Sequence, residues 1–248
     1  MPLFSKLRQY LSPGRRGFAP AGQAYDRWAL SYDHQPDNLM LALDEQVCSA
    51  LLEETEIGGR VIADIGCGTG RHWKKIQDRS PGRLLGYDVS AGMLRILNEK
   101  YPQAETRLLE NDRLTDLGDG SCDLILSTLT VAHIRQLEAA LTEWNRVLRP
   151  GGEIIITDYH PDALARGGKR TFRDGSQVIA IRNYIHPLRK IQEITAKLRL
   201  SVVSLTEKKI DDSMKPYYEH QNALPVFERF RGVPIIYGIH LKKADAPA

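Results

Sequence analysis

A glycine-rich loop between a buried strand and a helix constrains this chain more than any other feature. The segment Asp64-Ile65-Gly66-Cys67-Gly68-Thr69-Gly70 overlaps the end of the apolar run at 61–66 and leads into a helical pattern. Glycine lets a backbone turn sharply and approach a ligand closely. The helix that follows presents free N–H groups at the same place. The segment therefore predicts a strand–loop–helix unit that holds a ligand at a strand end.

Strands and helices alternate on both sides of this loop. With the run at 61–66, apolar segments predict five strands, the other four at 83–89, 106–112, 122–128 and 153–159. The helices between them are predicted at 71–78, 90–100 and 137–148. Buried strands separated by helices indicate a parallel sheet covered on both faces. The rhythm then changes, with a hairpin signal at 171–181, a helix at 187–200 and final strands at 201–210 and 233–243.

We therefore predict an α/β, Rossmann-like fold. Its seven-stranded sheet is mostly parallel, with an antiparallel last strand and a hairpin insertion after the fifth strand. The expected domains are a basic N-terminal arm at 1–20, a helical cap at 21–55, and a main domain at 56–248 with a lid insertion at about 160–186.

Composition excludes several classes of protein. Lys and Arg number 34 against 31 Asp and Glu, and a formal charge of +3 is too small to argue for nucleic acid or a membrane surface. Three cysteines without paired spacing predict neither a disulfide framework nor a zinc site. No apolar run reaches the roughly 20 residues of a membrane helix. We expect a cytoplasmic protein without a membrane span.

Polar side chains follow the next two strands as well. Asp88 ends the second predicted strand, where a carboxylate can accept hydrogen bonds from both hydroxyls of a ribose. Glu110, Asn111 and Asp112 end the third, where a carboxylate can accept from an adenine amino group. In open parallel sheets, ligands bind at the carboxyl ends of the strands. The loop and these acids together predict a site for an adenosine-containing ligand.

Five segments between about 60 and 160 carry a family resemblance: IADIGCGTG, GYDVSAGML, LLENDRL, CDLILSTLTVAHI and RVLRPGGEIIITD. They resemble the successive motifs of class I (Rossmann-like) S-adenosylmethionine-dependent methyltransferases. The chain is similar to a small-molecule branch, that of the ubiquinone/menaquinone C-methyltransferases and the biotin-pathway carboxyl O-methyltransferase. The resemblance implies S-adenosylmethionine as cofactor, S-adenosylhomocysteine as product, and in-line methyl transfer to a small organic acceptor.

The same resemblance implies which residues hold the cofactor. The loop residues would cradle the methionine part and Asp88 the ribose. Met93 would pack near the adenine, whose edge the third-strand residues would meet, and Ser127 would face the methionine part. Tyr25 and Tyr32, on one helical face, are candidates to close over the cofactor. The predicted cofactor-binding residues are Asp64, Gly66, Gly68, Thr69, Asp88, Met93, Glu110, Asn111, Ser127, Tyr25 and Tyr32.

Candidates for contact with the acceptor lie outside these motifs. His133 follows the fourth strand and is interpreted as a base or substrate contact, with a packed histidine as the alternative. Tyr184 and His186 would line the acceptor pocket if the hairpin folds over the carboxyl edge, and surface placement is the alternative. Arg182 and Arg189 are candidates for an anionic acceptor, although a solvated face is the preferred interpretation.

Other functions require particular residues whose presence can be checked in the sequence. Amino-methylating nucleic-acid enzymes need Asn/Asp-Pro-Pro-aromatic after the fourth strand, and this chain has Ser127-Thr128-Leu129-Thr130 there. We therefore expect a small-molecule acceptor and no nucleic acid, and we predict no metal because Asp158 lacks clear acidic partners. A nicotinamide dehydrogenase is disfavoured because Arg71 occupies the position of its third glycine. A non-catalytic S-adenosylmethionine-binding protein stays open, and the oligomeric state is not readable.

Overall fold

A computed structural model describes residues 18–111, 113–175 and 177–245. Residues 1–17 of the predicted basic arm lie outside the described residues, as does Asp112. Of the arm, Ala19 forms an isolated bridge with Ile181.

A seven-stranded sheet forms the centre of the protein, in the order β3-β2-β1-β4-β5-β9-β8. The first five of its strands pair in parallel, whereas β9 runs antiparallel to both β5 and β8. This arrangement confirms the predicted fold class. Strands β6 and β7 form a separate antiparallel hairpin. The strand bounds are β1 Val61–Ile65, β2 Arg83–Asp88, β3 Glu105–Leu108, β4 Cys122–Thr128, β5 Leu148–Tyr159, β6 Thr171–Asp174, β7 Gln177–Ala180, β8 Leu200–Lys209 and β9 Pro234–Lys243.

Helices cover the sheet and its carboxyl edge. Their bounds are α1 Ala21–Tyr32, α2 Leu39–Glu53, α3 Trp73–Gln77, α4 Ala91–Lys100, α5 Leu137–Val147, α6 Pro161–Ala165, α7 Leu188–Lys197, α8 Lys215–His220 and α9 Leu224–Phe230. Short 3₁₀ turns span Val131–His133 and Asp212–Met214. Helices α6, α8 and α9 carry no strong sequence signal, because each has only five to seven residues.

Several predicted boundaries differ from those of the structure. The third strand ends at Leu108, so residues 109–111 lie in the loop that follows it. The first helix after the glycine loop starts at Trp73 and ends at Gln77. Strand β5 begins at Leu148, so the segment Pro150-Gly151-Gly152, which precedes the predicted strand, lies within its bounds.

The two faces of the sheet bury separate hydrophobic clusters. On β5, Ile154 and Ile156 belong to one cluster, whereas Ile155 belongs to the other. The first cluster includes Trp144 of α5, and the second includes Val47 of α2. Successive side chains of a strand point to opposite faces, so burial of both faces requires a continuous apolar run. This explains why the central strands are readable from the sequence.

Helix α1 is attached to the parts of the chain that surround the carboxyl edge of the sheet. The carboxylate of Asp26 accepts hydrogen bonds from the Ser90 hydroxyl (2.7 Å) and the Gly92 N–H (2.8 Å) at the start of α4. On the other side, Trp28 stacks on Phe172 of the hairpin, with ring centroids 4.7 Å apart. These contacts hold α1 between α4 and the β6–β7 hairpin.

Candidate functional site

The glycine loop after β1 contains two glycines with different structural roles. Gly66 has φ +77°, and a Cβ atom there would lie 2.0 Å from the Thr130 hydroxyl oxygen. Gly68 has φ +54°, but a Cβ atom there would meet no heavy atom within 4 Å beyond its chain neighbours. Gly66 is therefore required by packing within the protein, whereas Gly68 leaves open space where a ligand can approach the backbone.

Asp88 joins this loop to the end of β2. Its carboxylate accepts the N–H of Gly68 and the N–H of Ser90, each at 2.8 Å. The side chain is largely buried, and burial raises the pKa of Asp88 to about 6 against the lowering effect of these backbone hydrogen bonds. Each carboxylate oxygen has a second lone pair. Asp88 can therefore still accept hydroxyl groups from a ligand.

One cavity joins the loop and Asp88 to the elements above the sheet edge. It is partly open to solvent, and its empty space is about 790 Å³ when the open part is counted. The third-strand loop closes one end and the turn after β4 the other, while α1 forms the cover. Its walls are formed by Ala21, Tyr25, Tyr32, Ile65, Gly66, Gly68, Asp88, Val89, Met93, Leu109, Asn111, Leu114, Thr128, Leu129, Thr130, His133, Ile134, Ala140, Trp144 and Arg170.

The structure brings many of the predicted site residues to this cavity. They come from five separate segments of the chain, and the predicted residues in its walls are Tyr25, Tyr32, Gly66, Gly68, Asp88, Met93, Asn111 and His133. Glu110 is exposed and does not line the cavity, whereas its neighbour Asn111 does. In the loop after β3, the cavity therefore receives the amide of Asn111 and not the carboxylate of Glu110.

Asp64 and Thr69 are not among the residues that line the cavity, and both form side-chain hydrogen bonds within the protein. Asp64 is buried, and one carboxylate oxygen accepts the indole N–H of Trp73 at 2.8 Å. Burial raises the pKa of Asp64 to about 7. The Thr69 hydroxyl donates to Asp33 at 2.6 Å, beside the end of α1. Both side chains therefore stabilise the loop through hydrogen bonds within the protein.

Ser127 also does not line the cavity. Its hydroxyl is fully buried and donates to the Ile65 carbonyl at 2.9 Å, between β4 and β1. The cavity is lined instead by the next three residues, 128–130. The bounds of the strand are as predicted, but alternation along β4 directs the Ser127 side chain to the face opposite that of Thr128, which lines the cavity.

Tyr184 and His186 lie beside the turn after β4 but outside the cavity walls. The Tyr184 N–H donates to the Ala132 carbonyl at 2.7 Å. The imidazole of His186 donates from Nε2 to the Ile134 carbonyl at 2.7 Å. These contacts connect the segment after the hairpin to residues 131–134, and neither side chain is placed in the acceptor pocket predicted for it.

His133 lines the cavity with both ring nitrogens engaged. Nδ1 lies 2.9 Å from the Arg182 carbonyl and therefore carries the proton. Nε2 is then the acceptor for the Tyr25 hydroxyl at 3.0 Å. Burial lowers the pKa of His133 to about 3 and raises that of Tyr25 far above its ordinary value. Both groups are neutral near pH 7, so the pair acts as a hydrogen-bonded wall, and this arrangement does not favour His133 as a base.

Arg170 is a charged residue of the cavity walls that the sequence analysis did not single out. It lies between α6 and β6 and is 7% exposed. Burial acts to lower the pKa of Arg170, but the electrostatic effect of Tyr25, Tyr32 and Asp158 is larger in sum. The pKa therefore lies above its ordinary value, and the guanidinium is charged. Arg182 and Arg189, the arginines singled out from the sequence, are exposed. No pattern in the sequence distinguishes a buried arginine from a solvated one.

Two kinds of feature, a metal-binding cluster and a membrane-spanning helix, are absent from the part of the chain that is described. It contains no group of three His, Cys, Asp or Glu side chains arranged to hold a metal ion. None of its helices combines the length and apolar character needed to cross a membrane.

Comparisons with known proteins agree with this architecture. Residues 63–156 match the family model described as a methyltransferase domain. The malonyl-[acyl-carrier protein] O-methyltransferase of Yersinia pestis is 32% identical over 173 residues, which cover 68% of this chain and 60% of that protein. Its counterpart from Serratia marcescens is 30% identical over 185 residues, covering 73% of this chain and 68% of that protein.

Solved structures share the fold at lower identity. An S-adenosylmethionine-dependent methyltransferase from Mesorhizobium loti superposes with a TM-score of 0.60 at 17% identity, over 76% of this chain and 93% of that one. The [4+2]-cyclase SpnF superposes with a TM-score of 0.68 at 15% identity, over 91% and 96%. The domain match and the Serratia relative, on a sheet of this order, lead to one conclusion: the chain belongs to the class I S-adenosylmethionine-dependent methyltransferases.

Proposed function

We propose that this chain transfers a methyl group from S-adenosylmethionine to a small organic acceptor. The observation that carries the proposal is the cavity in which the Asp88 carboxylate and the open face of Gly68 meet at the carboxyl ends of parallel strands. In a member of this family, that juxtaposition suits an adenosyl ligand, because the carboxylate can accept ribose hydroxyls and the glycine admits the ligand to the backbone.

The order of strands gives the expected direction of the ligand along the sheet edge. Met93, Leu109 and Asn111 supply a mostly apolar end with one amide, which fits an adenine ring. Asp88 would accept the ribose hydroxyls, and Gly66 with Gly68 would flank the methionine part. The fit rests on the chemistry of the donors and acceptors in these walls and on the open space at Gly68.

Methyl transfer places modest demands on the residues of the chain. When bound, S-adenosylmethionine supplies a methyl group activated by its sulfonium charge. Positioning the acceptor atom in line with it can contribute about 7–11 kcal/mol, whereas a general base contributes roughly 10²–10⁴-fold, about 3–5 kcal/mol. The neutral Tyr25–His133 pair offers little basicity. We therefore assign the chain a mechanism of orientation and water exclusion, with Tyr25 and Tyr32 closing the cavity.

The acceptor class is proposed from two kinds of relative. The matched curated proteins include malonyl-[acyl-carrier protein] O-methyltransferases and a ubiquinone/menaquinone C-methyltransferase from Syntrophotalea carbinolica, 29% identical over 140 residues. Both names describe organic acceptors methylated on oxygen or carbon.

The cysteines Cys48, Cys67 and Cys122 are free and buried, which suits a reducing compartment, and we place the activity in the cytoplasm.

A thermal-shift and turnover experiment tests the proposal. S-adenosylmethionine and S-adenosylhomocysteine should raise the melting temperature of the protein, and NAD should not. S-adenosylhomocysteine should then form in the presence of a carboxylic acid, an acyl-carrier thioester or a quinol. Stabilisation by NAD alone would refute the cofactor assignment. Binding without turnover across the panel would favour a non-catalytic binding protein, an outcome made relevant by the shared fold of SpnF, named as a cyclase.

A further inference from the structure

The guanidinium of Arg170 lies in the cavity wall and has no acidic partner among the described residues. Its terminal nitrogens donate to the Leu129 carbonyl at 2.9 Å and to the Tyr32 hydroxyl at 3.2 Å. None of the ion pairs found among residues 18–111, 113–175 and 177–245 includes Arg170. A guanidinium has five N–H donors, and these two bonds leave three.

Asp158, the acid that acts most strongly on the charge of Arg170, is held by backbone groups. Asp158 accepts the N–H of Ala132 and the N–H of Tyr159, each at 2.6 Å, and forms no ion pair with the arginine. A buried charge without a partner is unfavourable by several kcal/mol, so proteins pair or neutralise such groups. At Arg170 the protein contributes only neutral acceptors, and the remaining donors belong to a group that lines ligand space.

Aromatic side chains hold the guanidinium in place. Its central carbon lies 5.5 Å from the ring centroid of Tyr25 and 5.9 Å from that of Trp28. Those rings stack on each other at 5.7 Å, and Trp28 stacks in turn on Phe172 at 4.7 Å. An arginine fixed in this way loses little conformational entropy when it binds a ligand, which favours a recognition role over a mobile surface charge.

We propose that Arg170 binds a carboxylate of the ligands in this cavity. This inference rests on the proposed function and adds the chemistry of one further subsite. Arg170 is the one Lys or Arg among the residues described in the cavity walls, and its single positive charge matches a carboxylate, whereas a phosphate monoester carries nearly two negative charges. The planar fork of the guanidinium suits bidentate binding of two carboxylate oxygens.

The strand order limits where that carboxylate comes from. Arg170 bonds Leu129 just after β4, whereas Asp88 ends β2, and β1 lies between these strands. Two strand spacings separate the sites by about 10 Å along the edge. A ligand whose ribose reaches Asp88 therefore has its methionine end, or the neighbouring acceptor, at Arg170. Both sources present the same carboxylate chemistry, and binding experiments separate them.

The first arm compares S-adenosylmethionine with its decarboxylated form, which retains the amine, by calorimetric titration of wild type and Arg170→Met. If the cofactor supplies the carboxylate, wild type prefers S-adenosylmethionine at least tenfold, and the variant loses that preference while binding the decarboxylated form as before. Arg173→Met, an exposed arginine on the same hairpin, is the matched control and should bind both as wild type does.

The second arm compares propionate with propionamide, and malonate with malonamide, on protein saturated with S-adenosylhomocysteine. If the acceptor supplies the carboxylate, the acids bind at least tenfold more tightly than the amides, and Arg170→Met removes the difference without weakening S-adenosylhomocysteine. Arg170→Lys keeps the charge but not the fork, and should restore only part of the preference.

Two results would overturn the inference. One is the absence of any preference for a charged ligand in both arms, and the other is an equal weakening of acids, amides and decarboxylated cofactor in Arg170→Met, which would make Arg170 a structural brace. Failure of wild type to bind either form of the cofactor contradicts the proposed function instead. In that case the acid–amide comparison is made on the protein alone, so that the role of Arg170 is still decided.

Discussion

Replacing Gly68 with valine separates the demands of the fold from those of the ligand. The residue has φ +54°, and its missing Cβ atom faces space that contains no other heavy atom within 4 Å. Valine must therefore adopt an unfavourable backbone conformation, whereas its Cβ atom meets no other part of the described protein. Its side chain would instead occupy the cavity beside Asp88, where we place the ribose and methionine parts of the ligand.

The size of each effect follows from this geometry. A left-handed backbone costs an L-residue about 1–2 kcal/mol, so the free energy of unfolding should fall by about that amount. For a chain of 248 residues this lowers the melting temperature by about 2–8 °C. Binding of S-adenosylhomocysteine should weaken at least 100-fold, about 2.7 kcal/mol, because three added heavy atoms take the place of the ligand.

Gly59→Val is the matched control. Gly59 has φ +70°, has equally open surroundings, and lies before β1 at the opposite edge of the sheet. The two variants should lose similar stability in a denaturant titration, and only Gly68→Val should lose affinity in a calorimetric titration. Normal affinity in Gly68→Val, or an equal loss in both variants, would refute the argument that Gly68 contacts the ligand.

Other predictions follow from single contacts. Gly66→Ala should lower the free energy of unfolding by more than ~2 kcal/mol, since its Cβ would lie 2.0 Å from the Thr130 hydroxyl oxygen; chemical denaturation measures this, and a loss below 1 kcal/mol would contradict it. S-adenosylhomocysteine affinity should be about tenfold lower at pH 5 than at pH 8, because the pKa of Asp88 is about 6 and its ionised form is the stronger hydrogen-bond acceptor; a flat calorimetric profile would exclude this role. Asp44→Ala should cost about 3–5 kcal/mol in the same denaturation assay, because it leaves the guanidinium of Arg71 without its fully buried partner.

The cofactor half of the site was readable because its signals are local. Gly66 and Gly68 follow a strand within a few residues, and Asp88 ends the next one, so one stretch of chain specifies both the turn and its neighbours. Periodicity then gives the sheet, and the parallel arrangement brings the strand ends to one edge. The structure adds the cavity that joins these positions, and their role toward a cofactor stays a prediction.

The remaining side chains were misplaced or missed because their partners are distant in sequence. The Thr69 hydroxyl bonds Asp33, 36 residues earlier. The guanidinium of Arg170 bonds Tyr32, 138 residues earlier. Local patterns report only which face of an element is apolar, and they contain no information about which polar groups meet across the fold. The same limit applies to Ser127, whose direction depends on the last residues of β4.

The amino-acid sequence by itself determined the class of this protein. The signals are an alternation of apolar strands and helices, a loop whose glycines permit a sharp turn, and carboxyl groups at successive strand ends. Tertiary structure alone decided which of those side chains line the cavity and which form hydrogen bonds elsewhere in the protein. It also decided that Arg170, buried and without an acidic partner among the described residues, lies in the cavity walls. The physical reason is that backbone conformation and burial are encoded over a few residues, whereas the pairing of polar groups is settled by long-range packing.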